Sequence, residues 1–193
     1  MTTPTQEIRV WDPLVRIFHW TLVAAFFTAY LSEGEAMPLH AWAGYLIGGL
    51  ILVRVLWGLV GSRHARFSDF VRPPREVLAH VKDVIALKPQ RYLGHNPAGG
   101  LMIIALLLSL TLTVVTGTAL YAVDEGAGPL APWMSALGHG WEDGFEEVHE
   151  FLANLTLFLV VVHVAGVLVE SLLQGENLVR AMLNGRKPVH PEV

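Results

Sequence analysis

The sequence contains no cysteine. That excludes disulfides, thiolate metal sites, iron–sulfur clusters and covalent haem attachment through a C-x-x-C-H motif. Any redox centre must be held by nitrogen, oxygen or thioether ligands. Charge is scarce too: 16% of the 193 residues are Asp, Glu, Lys or Arg, against 53% hydrophobic. The mean hydropathy is +0.47. A soluble domain usually carries about 25% charge. The third absence is local: segments 32–40 and 124–150 contain no Lys or Arg at all.

What is present is a set of long apolar runs. Residues 14–31 carry one charge, Arg16; residues 41–60 carry Arg54; residues 99–123 carry none; residues 151–173 carry Glu170. As helices rising about 1.5 Å per residue, each can cross a hydrocarbon layer of about 30 Å. The expected fold is an all-α integral membrane protein, a single domain over 1–193 with transmembrane helices at about 14–32, 40–61, 98–123 and 146–173. The first run is long and no small-residue cleavage site follows it, so it does not read as a removable signal.

Basic residues mark the cytoplasmic side. Arg63, Arg66, Arg72, Arg75, Lys82, Lys88 and Arg91 lie between the second and third runs, and Arg180, Arg186 and Lys187 in the tail. Both termini and the middle connection are therefore expected in the cytoplasm, in a multi-pass protein of a bacterial inner membrane. The outer connection 124–150 holds Asp124, Glu125, Glu142, Asp143, Glu146, Glu147 and Glu150. The formal net charge of −4 thus conceals two faces of opposite sign. In the middle connection, Val77, Leu78, Val81, Val84 and Ile85 recur at helical spacing after Pro74, which predicts an amphipathic cytoplasmic segment over about 74–87. His80 is expected there as a solvated or interfacial ring. His64, His139 and His190 are expected at the surface. Trp133 and Trp141 suit a short helix at the headgroup level. Nothing suggests a nucleic-acid partner.

The chemistry lies in histidines within the apolar runs. His149 and His163 are fourteen residues apart. Fourteen helical steps of about 100° fall about 40° short of four circles, so both rings face nearly the same way, about 21 Å apart along one axis. Antiparallel threading sets His40 at the depth of His149, and His19 at the depth of His163. Facing imidazoles in a helix bundle are a standard means of holding haem iron from both sides of the porphyrin. With both axial positions filled, the chemistry is electron transfer rather than oxygen activation. The arrangement therefore points to a four-helix bundle holding two non-covalent, bis-histidine haems b: His19 and His163 on the inner iron, His40 and His149 on the outer. The alternative for each ring is a helix–helix hydrogen bond. Zinc or copper fits less well, because two nitrogens seldom complete a tetrahedral site. Gly44 and Gly48 clear a groove beside His40, or serve close helix packing. Arg16 and Arg54 can pair with haem propionates, or snorkel to lipid phosphate.

"VWDPLVRIFHW", "HAWAGYLIGGLILVRVLWGLVGSRHARFSDF", "LGHNPAGGLMIIALLL", "TG" at 116–117 and "VHEFLANLTLFLVVVHVAG" resemble the bacterial cytochrome b561 family, which includes the membrane cytochrome b of nickel–iron hydrogenases. The resemblance covers nearly the whole chain and is to short four-helix members. It implies a di-haem protein exchanging electrons between membrane quinone and a redox partner outside, with ligands at His19, His40, His149 and His163. It also implies a quinone site near the inner haem, where His95 and Asn96 offer polar groups. The same two residues ahead of Pro97 suit a helix start. Glu170 is either a proton-passing group or a surface carboxylate.

Four roles follow for comparison. The leading one is a quinone-linked conduit whose acidic outer face receives a basic protein such as a periplasmic c-type cytochrome. Whether the chain counts as an enzyme stays open. A superoxide oxidase reducing quinone is a second role, although an outer loop without Lys or Arg lacks a cationic pocket for that anion. A membrane anchor and electron-transfer subunit of a hydrogenase or dehydrogenase is the third. A scaffold without redox work is the fourth, and it would show no haem spectrum.

Overall fold

The computed structural model describes residues 7–137 and 139–189. His190 lies outside them, and so does the side chain of His139. Among the described residues, four helices are long and apolar enough to cross a membrane: α1 (Pro13–Ser32), α2 (Met37–Val60), α5 (Pro97–Asp124) and α7 (Glu142–Gln174). Shorter helices are α3 (Phe67–Phe70), α4 (Pro74–Ile85), α6 (Ala131–Met134) and α8 (Leu178–Asn184). Trp133 and Trp141 are exposed on the connection that contains α6.

Two ends differ from the sequence boundaries for local reasons. Helix α2 starts at Met37, with Pro38 inside the first turn, where a missing N–H costs nothing. Helix α7 starts at Glu142 because Glu142 and Asp143 sit favourably against the positive end of the helix dipole. Leu52, Leu56, Leu108 and Leu172 are more than half exposed, as expected of helix faces solvated by lipid tails rather than water.

The chain divides into two compact units. The first comprises residues up to Trp20, Arg54–Ile103 and the chain from Val162 on. It contains an element that composition did not announce, an antiparallel pair of strands, β1 (Glu7–Arg9) and β2 (Arg186–Pro188), with Ile8 opposite Lys187. Gly185 prepares this pairing. It ends α8 at φ 81°, and its carbonyl accepts the N–H groups of Val10 and Trp11. A Cβ there would lie 2.6 Å from the Trp11 carbonyl oxygen, so only glycine suits both the turn and the approach. Asp12 caps α1 by accepting from the Val15 N–H at 2.9 Å. Its other oxygen accepts from Trp57 Nε1 and Ser62 Oγ. Burial alone would raise the Asp12 pKa; the bonds from Ser62, Val15, Trp57 and Leu14 outweigh it and hold the carboxyl below its usual value.

The second unit comprises Thr21–Val53 and Ile104–Val161. Its core is Ala25, Phe26 and Ala29 from α1, Ala43, Ile47 and Ile51 from α2, and Leu110 from α5. Ala25 and Ala29 stand at i+4 spacing on one face of α1, where small side chains let helices approach. Polar ties complete the packing. Tyr30 Oη donates to Asn154 Oδ1 at 2.8 Å, and Ser109 and Thr156 hydroxyls meet at 2.7 Å. In the absence of water each tie removes an otherwise unsatisfied group.

Candidate functional site

In the second unit, α2 and α7 bring His40 and His149 together, ring centroids 5.9 Å apart and planes at 74°. Each ring is oriented by a backbone carbonyl. His40 Nδ1 lies 2.9 Å from the Ala29 oxygen. That carbonyl is in the last turn of α1, where helical partners run out. His149 Nδ1 lies 2.9 Å from the Thr113 oxygen, with Thr116 Oγ1 at 3.3 Å. A carbonyl only accepts, so in both rings Nδ1 carries the hydrogen and donates. Nε2 is then the lone-pair nitrogen, the form that ligates a metal. Gly117 makes this possible for His149: a Cβ there would come within 2.5 Å of its Cε1. The "TG" dipeptide thus supplies a hydroxyl and a gap to the same imidazole.

These two rings line a cavity of about 370 Å³. Tyr45, Tyr121 and Gly44 also line it, and a Cβ on Gly44 would meet nothing within 4 Å. Glu33, Asp124, Glu142, Glu146 and Glu150 belong to the same lining, so the space is apolar in its walls and acidic around them.

In the first unit, α1 and α7 bring His19 and His163 together, centroids 6.4 Å apart and planes at 54°. Trp20 packs edge-on against His19 at 5.0 Å. His19 Nδ1 is buried and has no hydrogen-bond partner. The unit's cations are also incompletely paired. Arg54 is only 3% exposed; its guanidinium lies over Phe67 and Phe70, 5.1 and 5.8 Å from the ring centres, and Nη1 has no hydrogen-bond partner. Snorkelling, one of the two expectations for Arg54, is therefore not what its side chain does. Arg16 Nη1 donates to the Asn184 carbonyl, while Nε is buried without a hydrogen-bond partner.

The spacing of each pair can be tested against a haem. A metal–imidazole bond of about 2 Å and a ring radius of about 1.1 Å on each side place two opposed axial rings about 6.2 Å apart. The pairs measure 5.9 and 6.4 Å. Buried guanidinium nitrogens in need of an acceptor suit carboxylate groups such as propionates. Among the described residues, no group of three or more His, Cys, Asp or Glu could hold a bare metal ion. The residues present fit haem.

Residues 10–185 match the prokaryotic cytochrome b561 family. The chain belongs to that family. It is 30% identical to a probable Ni/Fe-hydrogenase B-type cytochrome subunit of Azotobacter vinelandii, over 92% of this chain and 87% of that one. Proteins of the same description from Bradyrhizobium diazoefficiens (27% identical, 93% and 85% covered) and, as a hydrogenase 1 subunit, Escherichia coli (25%, 91% and 88%) are also similar. No solved structure matches. As a cytochrome b561 member, the protein is an integral membrane b-type cytochrome that carries haem and transports electrons.

Asn96 of this cytochrome takes the capping role, one of the two expected for it: its Oδ1 accepts the Gly99 N–H at 2.7 Å at the start of α5. Other residues are arranged differently from expectation. His95 is enclosed between Trp11 and Phe70, ring centroids 4.5 and 4.8 Å away, with Nδ1 buried and without a hydrogen-bond partner. Burial, reinforced by the positive charges of Arg54 and Lys187, lowers its pKa to about 3. His64 is not a free surface ring: its Nδ1 lies 2.9 Å from Asp69 Oδ2. The solvated or interfacial setting expected for His80 is corrected as well. His80 is 3% exposed and Glu170 is 6% exposed, and Nε2 and Oε1 are 2.8 Å apart. Each ring partner comes from a separate segment, so no local pattern marks this pair. The carbonyls of Ala29 and Thr113 were missed for a simpler reason, since every residue carries one. The last-turn position of Ala29 and the glycine at 117 were the available signals.

Proposed function

We propose that this chain is a di-haem cytochrome b passing electrons between membrane quinone and a redox protein on the outer face. The observation that carries the reading is the pair of histidine pairs, each at the spacing of opposed axial ligands. His40 and His149 would hold the outer haem, and His19 and His163 the inner, with Arg16 and Arg54 pairing inner propionates. A bound haem b supplies reversible one-electron chemistry at each site. The protein's own part is to fix both imidazoles, keep Nε2 unprotonated and fill the axial positions.

The basic segment 62–98 and the basic tail support an orientation in a bacterial inner membrane with both termini in the cytoplasm. The quinone site is assigned beside the start of α5, near His95 and Asn96. Asn96 Oδ1 is engaged in its cap, so its amide nitrogen would be the group available to a quinone oxygen. The outer partner is assigned as a hydrogenase-type subunit, supported by the descriptions of the similar proteins. A periplasmic c-type cytochrome is the competing partner. Copurification of a large, salt-resistant complex supports the former; transfer that slows sharply with salt supports a mobile basic carrier. Acidic residues around the outer cavity oppose superoxide as the electron donor.

The deciding experiment is a reduced-minus-oxidised spectrum with haem counting on the purified protein. The parent should contain two haems b. His149→Ala and His163→Ala should each lose one, and a different one. Colourless protein, or a single haem surviving both substitutions, would falsify the reading.

A further inference from the structure

The contact between His80 and Glu170, Nε2 to Oε1 at 2.8 Å, has no task in the scheme above. Helix α4 turns Leu78, Val81 and Ile85 outward, at 57%, 37% and 76% exposure, and turns its histidine inward. A helix lying on lipid can leave its apolar stripe exposed; the buried imidazole is the unusual feature. His80 Nδ1 is buried without a hydrogen-bond partner, and the ring meets Tyr92 edge-on at 5.5 Å. Gln174 donates to the second oxygen of Glu170.

The charged neighbours come from every segment packed nearby. Asp83 follows His80 on α4. Arg91 Nε donates to Glu176 Oε1, Lys187 Nζ donates to the Tyr92 carbonyl at 3.1 Å, and Nζ is 4.0 Å from Glu176 Oε2. Glu170 also acts electrostatically on Lys187. The buried carboxylates Glu170 and Glu176 balance the buried Lys187 and the partly exposed Arg91. One added proton would leave the cluster positive, and a nearby negative charge would favour that proton. Glu170 stands seven residues beyond His163 on α7, about 20° from the same face and about 10.5 Å along the axis. An electron at that distance, at an effective dielectric constant of about 20, changes proton affinity by about tenfold.

We propose that the His80–Glu170 pair is a proton-binding site coupled to the electron held between His19 and His163. It rests on the haem reading above. A haem held by His19 and His163 would supply reversible one-electron chemistry there. When the outer redox partner delivers an electron to it, His80 and Glu170 would together bind one proton from cytoplasmic water; when quinone takes the electron they would release that proton, so the charge of the region is restored. A purely structural latch joining α4 to α7 would hold the two side chains without this exchange.

The test is a spectroelectrochemical titration of each haem in the full protein between about pH 5 and 8. In the parent, the electron affinity of the inner haem should fall by about tenfold across that range, about 59 mV for one electron. Glu170→Gln and His80→Gln should flatten this dependence and leave the outer haem unchanged as an internal control. A slope that survives in both variants assigns the proton to another group, such as a propionate, and overturns the proposal; so does a flat parent. If a variant fails to load haem, the parent is read by redox-difference infrared spectroscopy. Carboxyl or imidazole protonation bands on inner-haem reduction are expected, and their absence overturns the proposal. A protein without haem would instead defeat the earlier reading.

Discussion

The two histidine pairs differ less in spacing than in what surrounds them. Around His40 and His149, both Nδ1 groups donate to backbone carbonyls, and five carboxylates belong to the cavity lining. Around His19 and His163, the Nδ1 of His19 has no hydrogen-bond partner, and the buried groups lacking acceptors include guanidinium nitrogens of Arg16 and Arg54. A donated Nδ1–H makes an imidazole more basic and favours ferric iron. Carboxylates favour the oxidised state as well; buried cations favour the reduced one. One chain thus surrounds two similar histidine pairs with opposite electrostatics. The lesson is that ligand identity alone does not set redox poise.

The sharpest way to break the comparison is at Gly117. Replacing it with valine should push His149 from the Thr113 carbonyl and eliminate the haem at His40 and His149. The other haem should persist, as counted by spectrum. Retention of both haems would show that the close approach of His149 to α5 is dispensable.

Acid should distinguish the units next. His95 stays neutral in the folded first unit down to about pH 3, whereas an unfolded histidine protonates near 6.5. Below 6.5 the unfolded chain therefore binds more protons, and stability falls with pH by about 1.4 kcal/mol per unit until the folded group titrates. His95→Gln should remove most of this dependence in thermal unfolding of detergent-solubilised protein. An unchanged slope would assign acid sensitivity elsewhere.

The smallest expected effect is the difference in potential itself. The haem at His19 and His163 should accept an electron at least tenfold more readily than the other, about 59 mV. Arg54→Leu should lower the inner potential, and Glu146→Gln should raise the outer one. Equal potentials in the parent would mean that the surroundings cancel.

How much could be read in advance follows from the physics of each element. Four runs with almost no charge require spanning helices, since no other open structure satisfies its backbone in lipid. The fourteen-residue interval sets two rings on one face of α7. His80 and Glu170, ninety residues apart, leave no periodic trace, and neither do strands of three residues joining the chain's two ends. Asn96 ahead of Pro97 was legible both as a helix cap and as a quinone contact, and its cap bond exists at 2.7 Å.

Hydrophobic run length and helical periodicity, which are local properties, determined the spans, the basic and acidic ends, and which histidines could share a depth. The donors and acceptors that tune those rings came only from the fold. A carbonyl or a buried guanidinium acquires its role from what lies within about 3 Å of it, and in this protein those neighbours belong to distant stretches of chain.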